Sequence, residues 1–144
     1  MSALNGVRIV ELAESVAGEY CGKLLADFGA EVVKVERPGS GSPTRAITPG
    51  GVFAYLNTNK RSVTLDVAQR PDALDDLVAS AHAVIGDRVW SNQVARHPDM
   101  VFCAITPYGH DAPPEMQNAK SINVFHAAGG ATTRRVTPTR RCLR

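Results

Sequence analysis

The feature that most constrains this chain is the order of its first 36 residues. "GVRIVELA" (6–13) is short, β-branched and apolar apart from Arg8 and Glu11, which is the pattern of a buried strand. "GEYCGKLLADFG" (18–29) places Tyr20, Cys21, Leu24, Leu25 and Phe28 at helical spacing and ends on Gly29, a natural helix stop. "AEVVKVE" (30–36) is a second strand. A strand, a helix and a strand within this length predict a parallel βαβ unit with a right-handed crossover.

The rest of the chain continues the alternation. A loop rich in Gly, Pro, Ser and Thr runs from 38 to 51, and 52–60 reads as a short helix or irregular segment. "RSVTLDV" (61–67) alternates as a half-exposed strand, and "PDALDDLVASA" (71–81) opens with proline and acids in its first turn and buries Leu74, Leu77 and Val78 as a helix. "HAVIGD" (82–87) is a strand, 88–97 a short helix, 99–109 a strand ending in a turn, and 119–130 a helix stopped by two glycines. The expected fold class is α/β: an open, mainly parallel sheet with helices on both faces. No closing element follows Gly130, so an incomplete domain is expected.

Composition excludes several classes. No apolar run reaches the ~18 residues of a membrane span, and the N-terminus lacks the pattern of a signal peptide, so a cytoplasmic protein is expected. Cys21, Cys103 and Cys142 are too scattered for a disulfide framework or a zinc site, and His82, His97, His110 and His126 show no metal spacing. Cys21 and Cys103 read as small core residues. The net charge of +2 comes from residues 134–144, which hold five arginines and no acid; the remainder is at −3 and offers no nucleic-acid surface. The expected division is a folded part, 1–133, and a basic disordered tail, 134–144.

In an open α/β sheet, ligands sit beyond the carboxyl ends of the strands. A dinucleotide site would need GxGxxG in the first turn, but "ELAESVAGEYCG" has only Gly18 and Gly22, so Glu36 alone does not make an NAD site. "ESVAGEY" has two readings: small residues at a helix N-terminus that receive an anion, or small residues that let the helix pack closely on the sheet. Arg37, beside Gly39 and Gly41, suits a phosphate; it equally reads as an arginine paired with Glu36 or with solvent. Lys60 and Arg61 read as a solvated basic corner.

"GVRIVELAESVAGEYCGKLLADFGAEVVKVERPGSGSPTR", followed by "FAYLNTNKRSVTLDV", resembles the N-terminal segment of the class III CoA-transferases, the CaiB/BaiF family of formyl-CoA transferase, carnitine CoA-transferases and α-methylacyl-CoA racemase. The likeness returns at "PDMVFCAITPYG" and "SINVFHAAGG", covers about residues 5–132, and does not extend to the tail. It implies a Rossmann-like domain that binds coenzyme A or an acyl-CoA as substrate, with no covalently bound cofactor and no metal. Carried over by position, the CoA contacts are Val16, Ala17, Arg37 and Leu65. The resemblance also implies a carboxylic acid acceptor, no nucleic-acid or membrane partner, and an interlocked homodimer for the full-length family.

Three departures accompany it. Where the family has Asn followed by an aromatic or Arg, this chain has Asp87 and Arg88, and a carboxylate there would repel CoA phosphates. Where racemase members carry a catalytic His, the chain has Lys120, with His126 further along as an ordinary helix residue. The family's transferases attack with an Asp carboxylate beyond the Gly-Gly turn to form a mixed anhydride. No acid follows Glu115 here, so no catalytic residue is assigned and the chain reads as truncated before the nucleophile. A racemase fragment and a non-catalytic CoA-binding module are the alternatives.

Overall fold

The computed structural model describes residues 2–128 apart from 49, 89 and 118. The chain divides into two compact units, Met1–Thr106 and Pro107–Arg144. The first carries five strands, β1 (Arg8–Glu11), β2 (Glu31–Glu36), β3 (Arg61–Thr64), β4 (Ala83–Gly86) and β5 (Val101–Ala104). They form one sheet in the order β3-β2-β1-β4-β5, and every pairing is parallel. The expected α/β class therefore holds.

The helices of this unit are α1 (Val16–Asp27), α2 (Gly51–Leu56), α3 (Pro71–Ala79) and α4 (Ser91–Arg96). Successive residues of β1 feed opposite faces, as the pleat requires. Ile9 joins Ala26, Val32 and Ile85 under α1, whereas Val10 joins Val35, Leu74, Val78 and Val84 under α3. Helices thus cover both faces. Pro71 opens α3 as the sequence indicates, and Gly29 ends α1 with φ +95°, its amide bonded to the Ala26 carbonyl at 2.9 Å.

Several expectations need correction. The apolar residues of α1 do not share one buried face. Cys21 and Leu25 pack on the core, but Tyr20, Leu24 and Phe28 are exposed, Phe28 at 58%. The inward face carries Gly18, Glu19, Gly22 and Ala26. The helix is rotated because its glycines admit polar groups from the sheet. All four residues of β3 are exposed, since it is an edge strand; Leu65 and Val67, beyond it, reach the α3 core. Cys103 is exposed on the other edge strand, β5, and is not a core residue. The loop 38–51 contains a 3-10 turn, Pro43–Ala46, capped by Ser42.

The second unit carries α5 (Pro114–Gln117), which the sequence reading passed over, and α6 (Ser121–Ala127). The amide of Lys120 is bonded to Asn123 Oδ1 at 2.9 Å, ahead of α6, and His126 lies edge-on to Phe125 with ring centres 6.0 Å apart. The glycine stop at 129–130 and the tail 134–144 lie outside the described residues.

Candidate functional site

β1 and β4 are neighbours at the centre of the sheet, and the chain leaves them toward opposite edges. This is the topological switch point at which open α/β sheets take ligands. A cleft of about 580 Å³ lies there. The segment after β1 supplies Leu12 and Glu14; that after β2 supplies Arg37, Pro38 and Ser40; that after β3 supplies Leu65 to Ala68; and that after β4 supplies Asp87, Arg88 and Trp90.

The four residues singled out for CoA contact are placed unequally. Arg37 and Leu65 line the cleft. Val16 and Ala17 open α1, exposed to solvent, two and three residues past the lining residue Glu14. Their amides make no hydrogen bond among the described residues, whereas the next amide, Gly18, donates to Ser15 Oγ at 3.1 Å. Gly18 itself is a packing residue. A Cβ there would sit 2.3 Å from the Ala13 Cβ. Of the two readings of "ESVAGEY", close packing therefore belongs to Gly18, and an accessible helix start belongs to Val16 and Ala17.

Arg37 does not pair with Glu36. Its guanidinium meets Glu14 at 2.5 Å and its side chain remains 68% exposed. Glu36 instead takes a bidentate bond from Arg45, at 2.7 and 2.8 Å, with further bonds from Ser62 Oγ and the Ser42 amide. The Arg45 bonds, helped by Ser62 and Ser42, hold the Glu36 carboxyl at about 2, against the upward push of burial.

The acids of the cleft are engaged within the protein. Asp66 Oδ1 accepts from the Ala68 and Gln69 amides at 3.0 and 3.1 Å. Asp87, the departure from the family's Asn, also lines the cleft, and its oxygens accept from the Glu14 amide, the Ser15 amide and Ser15 Oγ, at 2.5, 2.8 and 2.5 Å. The carboxylate crosses the switch point and fastens the first turn to the end of β4. Arg88 stacks on the Trp90 ring at 4.4 Å, adding a second guanidinium to the wall.

Below the cleft lies a polar network that sequence reading missed. Lys34 Nζ bonds Glu11 Oε1 at 3.1 Å and Glu19 Oε1 at 2.9 Å, and Lys60 Nζ bonds Glu11 Oε2 at 2.7 Å. These four side chains are at most 2% exposed. Lys60 is therefore not a solvated corner, although Arg61 is one: it is exposed and paired with Glu31 at 2.7 Å. Burial pushes the Glu11 carboxyl up and the Lys60 ammonium down, and their mutual attraction opposes both. Glu19 is pushed up by burial, but bonds from Ser42, Lys34 and Thr44, with the Lys34 charge, bring it below its ordinary value. One signal was available. The parallel register sets Glu11 opposite Lys34, so each strand carries one charge where its neighbour carries the opposite one.

The fold and the cleft define an α/β protein with an open cleft at the carboxyl edge of a parallel sheet. The family model for CoA-transferase family III matches residues 4–143, and the chain belongs to that family. The match runs through the arginine-rich tail that the sequence reading set apart. Among relatives, a formyl-CoA:oxalate CoA-transferase of Afipia carboxidovorans is 36% identical over an alignment covering 91% of this chain and 35% of the relative. A succinyl-CoA:mesaconate CoA-transferase of Haloarcula hispanica is 35% identical over 76% of this chain and 33% of its own. Among solved structures, a hypothetical protein of Mycobacterium tuberculosis superposes with TM-score 0.80 at 31% identity, covering 96% of this chain and 42% of its own. A CaiB/BaiF family protein of Brucella suis gives 0.77 at 30% identity, covering 90% and 39%. The chain spans about a third of the length of these curated relatives. Among the described residues, no helix is long and apolar enough to cross a membrane.

Proposed function

We propose that the cleft holds the coenzyme A part of an acyl-CoA, and that the protein serves the transfer of CoA between carboxylic acids. The observation that carries this reading is the convergence, in a member of this family, of Arg37 and Leu65 on a cleft at the sheet's switch point. Arg37 contacts a phosphate, Leu65 packs against the apolar part of the ligand, and the amides of Val16 and Ala17 face it from the start of α1. Of the cleft's acids, Glu36 is neutralised by its ion pair with Arg45, and Asp66 and Asp87 are held by backbone amides. Glu14 is the exchangeable partner. A phosphate would compete with it for Arg37.

The relatives' names describe CoA passing from an acyl-CoA to a carboxylic acid, and nucleophilic catalysis by a carboxylate gives that transfer its steps. A carboxylate nucleophile attacks the thioester carbonyl and expels CoA thiolate, leaving a mixed anhydride. Thiolate attacks the enzyme's carbonyl of that anhydride, giving an enzyme thioester and releasing the donor acid as its carboxylate. The acceptor carboxylate attacks this thioester and expels thiolate, which attacks the acceptor's acyl carbonyl to give the new acyl-CoA and free the enzyme carboxylate. No residue of this chain is assigned as that nucleophile; the chain supplies the CoA side of the site. A racemase role finds no support at Lys120, which has an ammonium where that reaction would need an imidazole.

Calorimetric titration of CoA and of NAD tests the proposal. A hydrogen bond to a charged group contributes about 1.5–3 kcal/mol, so Arg37→Ala should weaken CoA binding about ten- to a hundredfold. Tighter binding of NAD than of CoA, or unchanged CoA affinity in Arg37→Ala, would overturn it.

A further inference from the structure

The segment that carries Arg37 is a loop of unusual construction. Its tip, Pro38 to Gly41, turns through two left-handed glycines, Gly39 at φ +76° and Gly41 at φ +64°. A Cβ on Gly39 would meet nothing within 4 Å, so the tip has no packing support of its own. Such a tip would wander unless it were anchored elsewhere.

Two carboxylates provide the anchor. Glu19, from the inward face of α1, receives the hydroxyls of Ser42 and Thr44, the latter at 2.8 and 3.0 Å from its two oxygens. Glu36, from the end of β2, receives the Ser42 amide at 3.1 Å and both bonds from Arg45. All four loop donors thus lie within Ser42 to Arg45, immediately behind the tip. Gly41 is required for this closure, because a Cβ there would lie 2.8 Å from Arg45 Cδ and 2.9 Å from Glu36 Oε2. Glu19 is fixed in turn by Lys34 at 2.9 Å and by Asn57 Nδ2 at 3.1 Å. The hydroxyls of Ser42 and Thr44 therefore hang the loop from a buried ion network that does not touch the cleft.

We infer that Glu19 and Glu36 act as a two-carboxylate clasp, positioning residues that hold the 37–46 loop and so set Arg37 in place before ligand arrives. Preorganisation of this kind raises affinity by removing the ordering that binding would otherwise require. The inference rests on the CoA reading for the identity of the ligand, but the clasp has a readout that needs no ligand.

The test uses the full chain with Thr44→Val, which removes one hydroxyl at nearly constant volume, and Thr44→Ser, which restores it. Ser42→Ala serves as the second lesion should Thr44→Val fold poorly. Hydrogen exchange is followed in 38–46 and, as reference, in β1 and β2, alongside calorimetric titration of CoA. The expected result in Thr44→Val is loss of protection confined to 38–46, with CoA affinity falling by up to about tenfold, the range that ordering one loop side chain on binding would take. Both should return in Thr44→Ser. Unchanged protection in 38–46, or equal loss throughout the strands, would overturn the clasp. So would undiminished CoA affinity in a loop that has lost its protection. Failure of the wild type to bind CoA would remove the ligand assignment instead, and exchange alone would then decide the clasp.

Discussion

Replacing Gly22 by alanine places the structural account under strong stress. In an exposed helix this change stabilises by about 0.8–1.0 kcal/mol, because alanine is the better helix former. Here the new Cβ would lie 1.7 Å from Glu11 Oε2 and 3.2 Å from Lys60 Nζ. Glu11 has little room to yield, since Lys34 holds one of its oxygens and Lys60 the other. Overpacking a filled interior costs about 1–3 kcal/mol, and breaking one partner out of a buried ion pair costs about 3–5 kcal/mol. Against the propensity gain, Gly22→Ala should be destabilising by roughly 3 kcal/mol or more, a large share of the 5–15 kcal/mol typical of a folded domain. Urea denaturation followed by circular dichroism measures this directly. Gly51→Ala is the control: Gly51 is the first residue of a helix, α2, and a Cβ there meets nothing within 4 Å, so it should be neutral or slightly stabilising. If Gly22→Ala is as stable as the control, the buried network is not packed as described.

Two further outcomes are expected. Glu36 titrates at about 2 when folded against 4.5 ordinarily, so its contribution is fully present above pH 4.5 and is lost as pH falls through 2. With the half-exposed Arg45 as partner, this amounts to about 2–3 kcal/mol; the acid-side slope of stability should flatten in Glu36→Gln, and an unchanged slope would contradict the assignment. Arg61→Ala should alter CoA affinity less than twofold and stability by about 0–1 kcal/mol, as for any exposed ion pair; a loss matching that of Arg37→Ala, measured by the same titration, would show that the wrong arginine had been chosen.

The parallel sheet was legible because its signals are local. The apolar strands, the glycine after α1 and the proline before α3 each act on their own neighbours in sequence. The position of Arg37 at a strand's carboxyl end was legible for the same reason. What escaped depended on partners far apart in the chain. Nothing local shows that Lys60 turns inward while Arg61 turns out, for that choice is made by Glu11, 49 residues away. The orientation of α1 was misread because Tyr20, Leu24 and Phe28 look like a core face, while the true inward face is marked by two glycines and an acid. The structural contacts of Asp87 escaped as well, since its three donors in the first turn come within reach only through the adjacency of β1 and β4.

The central claim is that CoA binds at the carboxyl edge of the sheet, and amide chemical-shift mapping tests it most directly. Titration of CoA into the isotopically labelled chain should perturb the amides of residues 14–17, of Arg37, Gly39 and Ser40, and of 65–68 and 87–88, which lie in or beside the four segments that line the cleft. The amino edge, around Gly29 to Val32 and Asn59 to Arg61, should stay unchanged. Perturbations concentrated at that amino edge, or their absence from the Arg37 loop at saturating CoA, would contradict the account.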